Sequence, residues 1–200
     1  MAERFDLIVF DWDGTLMDSA GAIVRAMQAA TRDLGLAEIP EERARYVIGL
    51  GLGAALRHAV PDLDEASYPR MVERYRHHYL SSDHELTLFD GVAEMIDALA
   101  ARGHMLAVAT GKSRLGLNRA LGHCGLGAYF HATRCADECF SKPHPAMLEE
   151  LMDELGAVPE RTLMIGDTTH DLQMAKNART AGLAVSFGAH PVAALEAEAP

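Results

Sequence analysis

Two aspartates two residues apart, Asp11 and Asp13, follow directly on the apolar run Leu7–Phe10. While the chain stays extended, alternate side chains share a face, so Asp11 and Asp13 point one way and Trp12 the other. Two carboxylates at one strand end repel unless a cation or a shared proton intervenes. That is the arrangement expected of a metal-bound nucleophile with an acid–base partner. The Asp13-Gly14 pair is also a common turn signal. A second acidic pair, Asp167 and Asp171, follows the run Leu163–Ile165 within Gly166-Asp167-Thr168-Thr169-His170-Asp171. Local capping competes as an explanation there, with Thr168 as N-cap and Asp171 in the first turn. Four carboxylates facing one cleft would require a hard divalent cation, and oxygen ligands of this kind suit Mg2+.

Groups that could handle an anion stand at two further places. Thr110-Gly111-Lys112-Ser113 follows the run Met105–Ala109. A hydroxyl and free backbone N–H groups at a helix start make an anion cradle, although a threonine there is also a plain helix cap. The sequence Gly-Lys-Ser is not a nucleotide-binding loop, because Leu106 stands where that motif needs its first glycine. In Ser141-Lys142-Pro143-His144-Pro145 the prolines fix the backbone and open the next helix, holding Lys142 extended at its entrance. A lysine so placed can offset crowded carboxylates and phosphate charge; on its own it would read as a solvated surface residue.

These groups need a scaffold that brings strand ends together. Short apolar runs at Leu7–Phe10, Met105–Ala109, Leu163–Ile165 and Leu183–Phe187, with a weaker one at Tyr129–Thr133, read as buried strands. Helical patterns at Val92–Ala101, Arg114–Leu121, Pro145–Leu155 and Asp171–Ala181 alternate with them. The alternation predicts an α/β fold, a doubly wound parallel sheet whose ligands bind beyond the carboxyl ends of the strands. The stretch between Asp18 and Glu85 breaks this rhythm and reads as helices only: Ala20–Leu34, Glu41–Val47, Gly53–Ala59 and Glu65–Leu80. The expected division is therefore a core of residues 1–17 and 85–200 with an all-helical insert over residues 18–84. Gly49-Leu50-Gly51-Leu52-Gly53-Ala54 imitates a dinucleotide fingerprint, but helices follow where a strand and an acidic residue should stand. A flexible glycine loop aimed at the site is the better reading.

Composition narrows the partners. The chain has 200 residues, 18 basic against 29 acidic, for a formal charge of -11. That balance argues against nucleic acid and against an anionic membrane surface as partners. The opening segment lacks the basic and apolar regions of a signal peptide, and no apolar run approaches a membrane span, so the cytoplasm is the expected location. Cys124, Cys135 and Cys139 are too few and too poorly spaced for a disulfide framework or a tetrahedral zinc site.

Taken in order, Asp11-Trp12-Asp13-Gly14-Thr15, Thr110, Lys142 and Gly166-Asp167-Thr168-Thr169-His170-Asp171 resemble the motifs of the haloacid-dehalogenase-like superfamily. The helical insert resembles that superfamily's cap of the first type, and the nearest likeness is to the phosphoglycolate-phosphatase-like branch. The resemblance implies a Rossmann-like catalytic core and a Mg2+-dependent phosphatase acting on a small phosphorylated metabolite through an aspartyl-phosphate. It implies Asp11 as nucleophile and metal ligand. Asp13 becomes acid–base, with its main-chain oxygen in the metal shell. Thr110, Gly111 and Lys142 become the phosphoryl-binding groups, with Thr110 and Lys142 also counted as catalytic, and Asp167 and Asp171 the remaining metal residues. The cap would close over the site, with Ile48–Gly53, residues Leu16–Ser19 and Arg57 as substrate-facing candidates. His170 receives no role. The superfamily usually continues beyond the fifth strand through another strand and helix, so a trimmed sheet edge is expected here.

Other functions are weighed on the same residues. A dehalogenase fits less well because Asp13 is present. A phosphomutase would want a cap arginine in the glycine loop, where Leu52 stands. A non-catalytic phosphate-binding regulator should have lost at least one of the six catalytic and metal residues, and all are present. The substrate is left open among phosphoglycolate, sugar phosphates and nucleotides, and the oligomeric state between monomer and homodimer.

Overall fold

The computed structural model describes residues 4–200; Met1–Glu3, the first residues of the expected core segment, lie outside the described residues. Five strands, β1 (Leu7–Phe10), β2 (Met105–Thr110), β3 (Ala132–Cys135), β4 (Thr162–Gly166) and β5 (Ala181–Ala184), form one parallel sheet in the order β3-β2-β1-β4-β5. Alternate residues of the central strand feed opposite faces. Leu7 and Val9 pack with Met147, Leu148, Leu151 and Met174 of α7 (Ala146–Leu155) and α8 (Thr169–Asn177). Ile8, Phe10 and Trp12 pack on the other face with Val92, Ile96 and Leu117 of α5 (Val92–Ala101) and α6 (Arg114–Cys124). Covering both faces is why β1 reads as an unbroken apolar run. The expected α/β doubly wound sheet is the observed one.

Between β1 and α5 the named elements are all helices: α1 (Ala20–Asp33), α2 (Glu41–Tyr46), α3 (Leu52–Ala59), α4 (Tyr68–Ser82) and a one-turn 3-10 helix, Asp83–Glu85. These helices gather a cluster of their own around Ile23, Met27, Leu56 and Met71. The helical insert thus buries its apolar faces largely against itself.

Several boundaries differ from the sequence reading. The strand expected at Leu183–Phe187 lies at Ala181–Ala184, where Gly166 pairs with Ala184. The capping box at Thr168 starts α8 at Thr169, two residues early, and Arg179 at φ 60° ends the turn after it. A one-turn 3-10 helix at Leu126–Tyr129 displaces β3 towards Ala132. The helix expected from Glu65 begins at Tyr68. The Ala/Glu-rich tail forms a short helix, α9 (Val192–Ala197), at the position where the resemblance implied a trimmed edge.

Candidate active site

The carboxyl ends of β1, β2 and β4 lie side by side, with Phe10 in register with Val108 and Ile165. The segments leaving these three strand ends are therefore brought into one place. Asp11 continues the ladder by one bond, its N–H donating to the Ile165 carbonyl at 2.9 Å. The chain then turns: Gly14 takes φ 86°, and Leu16 and Met17 donate N–H groups to the Trp12 carbonyl at 3.0 Å each. A side chain at Gly14 would be strained by that backbone and would also run into the Asp167 carboxylate.

Asp11, Asp167 and Asp171 can bring one oxygen each within 4.8 Å of one another, and all three are fully buried. Lys142 Nζ donates to Asp11 Oδ1 and to Asp171 Oδ1, both at 2.6 Å. Asp171 Oδ2 accepts from the Thr168 hydroxyl at 2.6 Å and the Thr168 N–H at 3.1 Å. Asp167 accepts from the Thr15 hydroxyl and from the Ala189 N–H, each at 2.7 Å. One oxygen, Asp11 Oδ2, is buried with no partner. Burial, followed by the neighbouring Asp171 charge, pushes Asp167 up to about 7; burial likewise raises Asp11, against the pull of Lys142. A single ammonium does not neutralise three buried carboxylates. An orphaned carboxylate oxygen beside two more aspartates is a donor set that fits a hard divalent cation.

Thr168 and Asp171 satisfy both of the readings set against each other in the sequence. Thr168 is the N-cap in a capping box, and the same Asp171 carboxylate reaches Lys142.

Asp13 stands apart from this cluster. Its Oδ1 accepts from the Ser19 hydroxyl at 2.6 Å and lies 3.0 Å from Lys112 Nζ. The expected gathering of four carboxylate side chains is thus three, because the turn after Trp12 ends the strand alternation on which that expectation rests. Thr110 closes β2, and its hydroxyl accepts the Lys112 N–H at 3.2 Å, leaving its own O–H to give to an incoming oxygen.

Beside Asp13 a cavity of about 760 Å³ separates the insert from the core. The glycine loop, Arg57, Tyr79, Gly111 and Lys112 line it. Of the substrate-facing candidates, Ile48–Gly53 and Arg57 border this cavity. Leu16–Ser19 do not; Leu16, Met17 and Ser19 are buried, and Ser19 orients Asp13 from behind. At Gly111 the core admits the backbone of the glycine loop, since a Cβ there would lie 2.5 Å from the Leu50 carbonyl oxygen and 2.6 Å from that of Gly49. The Gly51 N–H donates to Ser141 Oγ at 2.8 Å.

His170, without an assigned role from sequence, fastens the insert to the core. Its Nε2 and that of His190 lie 2.8 Å and 3.0 Å from the Tyr46 carbonyl, which can only accept, so both rings donate. His190 Nδ1 in turn accepts the Thr169 N–H at 3.1 Å, making this ring neutral. Burial holds both imidazoles below their ordinary range. The three cysteines are free thiols. Among the described residues the aspartate trio is the one group of three or more acidic, His or Cys side chains placed to share a metal. No helix among the described residues is long and apolar enough to cross a membrane.

Residues 8–185 match the family described as haloacid dehalogenase-like hydrolase. The chain belongs to that family. It is 38% identical over 200 residues to the probable phosphatase IndB of Dickeya dadantii, covering 97% of this chain and 86% of the relative. A phosphoglycolate phosphatase of Agrobacterium fabrum is 31% identical over 198 residues, with 96% and 85% covered. The crystal structure of a predicted phosphoglycolate phosphatase from Haemophilus somnus superposes with a TM-score of 0.86 at 26% identity, over 96% of this chain and 92% of that one. Within the family these likenesses place the chain in the phosphoglycolate-phosphatase-like branch, among the phosphoric monoester hydrolases.

The residues to which sequence reasoning gives no role are Thr15, Tyr79 and Lys112; Ser19, read as facing the substrate, bonds Asp13 instead. Lys112 lies inside a motif already singled out, and its neighbour Thr110 is the signal that could have found it. Tyr79 carries no such signal, being one tyrosine of a helix far along the chain.

Proposed function

We propose that this protein hydrolyses a small phosphomonoester, phosphoglycolate-like, a sugar phosphate or a nucleotide, with Mg2+ bound and through a phosphorylated Asp11. The observation that carries the reading is the buried trio Asp11, Asp167 and Asp171, with one lysine bonded to two of its members and Asp11 Oδ2 left without a partner. Asp11, Asp167, Asp171 and the main-chain oxygen of Asp13 would hold the metal. When bound, Mg2+ supplies positive charge against the crowded carboxylates and the transferring phosphoryl oxygens.

The Asp11 carboxylate attacks phosphorus in line with the departing oxygen. As the bond to the alcohol breaks, Asp13 gives its proton to that oxygen. Water then loses a proton to Asp13 and attacks the same phosphorus, breaking the bond to Asp11 and releasing phosphate. Lys142 fixes the Asp11 carboxylate for attack, while Thr110 and the Gly111 backbone receive the phosphoryl oxygens. Residues 1–17 and 85–200 act as the catalytic core, and residues 18–84 as a cap that excludes water and selects the alcohol over the cavity beside Asp13. The setting is the cytoplasm, with the enzyme as a monomer or homodimer.

The test is hydrolysis of a panel of phosphomonoesters, with and without Mg2+, by the wild type and Asp11→Asn. Turnover should need both Mg2+ and Asp11, with Asp11→Asn losing on the order of 10⁴-fold or more, as for removal of other catalytic nucleophiles. A folded wild type that binds Mg2+ yet turns over no ester would end the proposal.

A further inference from the structure

Lys112 is used by none of the steps above, yet it is among the most confined cations in the molecule. Its side chain is 11% exposed, although it borders the cavity. Nζ lies 3.0 Å from Asp13 Oδ1, donates to the Tyr79 hydroxyl at 2.9 Å and sits 4.8 Å from the centre of the Tyr79 ring. The backbone is pinned on both sides, with the N–H given to Thr110 Oγ1 at 3.2 Å and the carbonyl accepting from the Ala136 N–H at 3.0 Å. Immediately before it, Gly111 admits the backbone of the glycine loop.

These contacts join two regions that differ in kind. Asp13 belongs to the core, immediately beyond β1, whereas Tyr79 belongs to α4 of the insert and stacks there on Tyr75 at 5.9 Å. Lys112 is the group that touches both. With the insert in place, the ammonium is fixed between a carboxylate, a phenol and an aromatic face. If the insert moved away, Tyr79 would leave with it. The long lysine stem would regain its rotamers, and water would solvate the ammonium. Asp13 Oδ1 would then be fixed by Ser19 alone.

We infer that Lys112 is a positioning residue, coupling closure of the insert to the orientation of the Asp13 carboxylate. Both contacts to Asp13 fall on Oδ1, so Oδ2 is the oxygen whose direction they set towards the departing alcohol. The inference rests on Asp13 being the acid of the proposed reaction. It makes proton delivery conditional on the alcohol being enclosed, so the phosphoryl group is not transferred while the site is open to water. Burial works against the Lys112 charge, but the Asp13 carboxylate and the Tyr79 and Tyr75 phenols together outweigh it and hold the ammonium above its ordinary range.

The readout is how kcat/KM depends on the leaving group, because an aryl oxide departs unprotonated whereas an alkoxide does not. A series from p-nitrophenyl phosphate to alkyl phosphates would be measured for the wild type, Lys112→Met, Tyr79→Phe and Asp13→Asn, each with its melting temperature. Lys112→Met should lose about 10- to 100-fold on alkyl phosphates, part of what a general acid supplies, and little on p-nitrophenyl phosphate. Tyr79→Phe, which keeps the ring and its packing, should shift the series the same way but less. An equal fall across all leaving groups in Lys112→Met, or no change in Tyr79→Phe, would overturn the coupling. Asp13→Asn separates the two ideas. If it too leaves the leaving-group dependence unchanged, the acid role of Asp13 fails; if it steepens the dependence and Lys112→Met does not, this inference alone fails.

Discussion

Asp11 and Asp13 stand two residues apart, and each meets a lysine, Lys142 in one case and Lys112 in the other. The first pair is sealed, with side chains 1% and 0% exposed, and its lysine goes on to Asp171, another core residue. The second pair borders the cavity at 10% and 11%, and its lysine goes on to Tyr79 of the insert. The sealed end is thus built from residues at the strand ends and helix entrances of the core, and none of its hydrogen bonds comes from the insert. The cavity end is completed by a helix from elsewhere. A fixed charge cluster suits the part of the reaction common to every phosphomonoester, and a contact shared with the insert suits the part that varies with the alcohol.

The comparison is tested most severely by removing each lysine. Lys142→Met leaves Asp11 and Asp171 facing each other without a cation, and should destabilise the protein by about 3–5 kcal/mol, the usual cost of orphaning a buried charge. Lys112→Met leaves Asp13 beside a cavity from which water can reach it, and should cost about 1–2 kcal/mol. Denaturant unfolding in the absence of metal measures both, and equal losses would break the distinction.

A smaller effect separates the two ends by metal and pH. Asp167, pushed up to about 7, keeps in the folded chain a proton that the unfolded chain releases near pH 4. The native state therefore binds more protons between about pH 4 and about pH 7, and metal-free stability should fall as pH rises through that window. Mg2+ takes the place of that proton, so its stabilisation should grow over the same window, reaching about 2.7 kcal/mol at a hundredfold excess over Kd. Melting curves at pH 5 and pH 8, with and without Mg2+, check this; a shift of the same size at both would count against the cluster as the metal site. Gly111→Ala should disturb the cavity end. Its Cβ presses on the Leu50 and Gly49 carbonyls, backbone atoms that must shift to admit it, so kcat/KM should fall about tenfold at a stability cost of about 1–3 kcal/mol. A loss larger than that of Lys142→Met would mean that the insert and the core are not separable in this way.

The sealed end is legible in the sequence and the cavity end much less so, for a physical reason. Asp11, Thr110, Lys142, Asp167 and Asp171 lie where strands and helix entrances meet, and strand order in a parallel sheet places such positions together whatever the details. β1 and α5 fall on the residues that periodicity indicates. Asp13 falls among the other carboxylates only if alternation is carried three residues past β1, into a turn governed by Gly14. The Lys112–Tyr79 contact depends on how α4 packs over the core, which no local spacing records. The tail helix α9 escapes detection because six residues with one buried leucine carry too little periodicity to register.

Phosphorylation of Asp11 and proton handling by Asp13 separate cleanly in Asp13→Asn turned over with p-nitrophenyl phosphate. This ester needs no acid for its first step, whereas release of phosphate from Asp11 still needs a base. A rapid burst of about one equivalent of p-nitrophenol should precede slow turnover, with acid-quenched protein heavier by one phosphoryl group on the peptide carrying Asp11. Steady release without a burst, or a phosphoryl group found on a different residue, would contradict this mechanism.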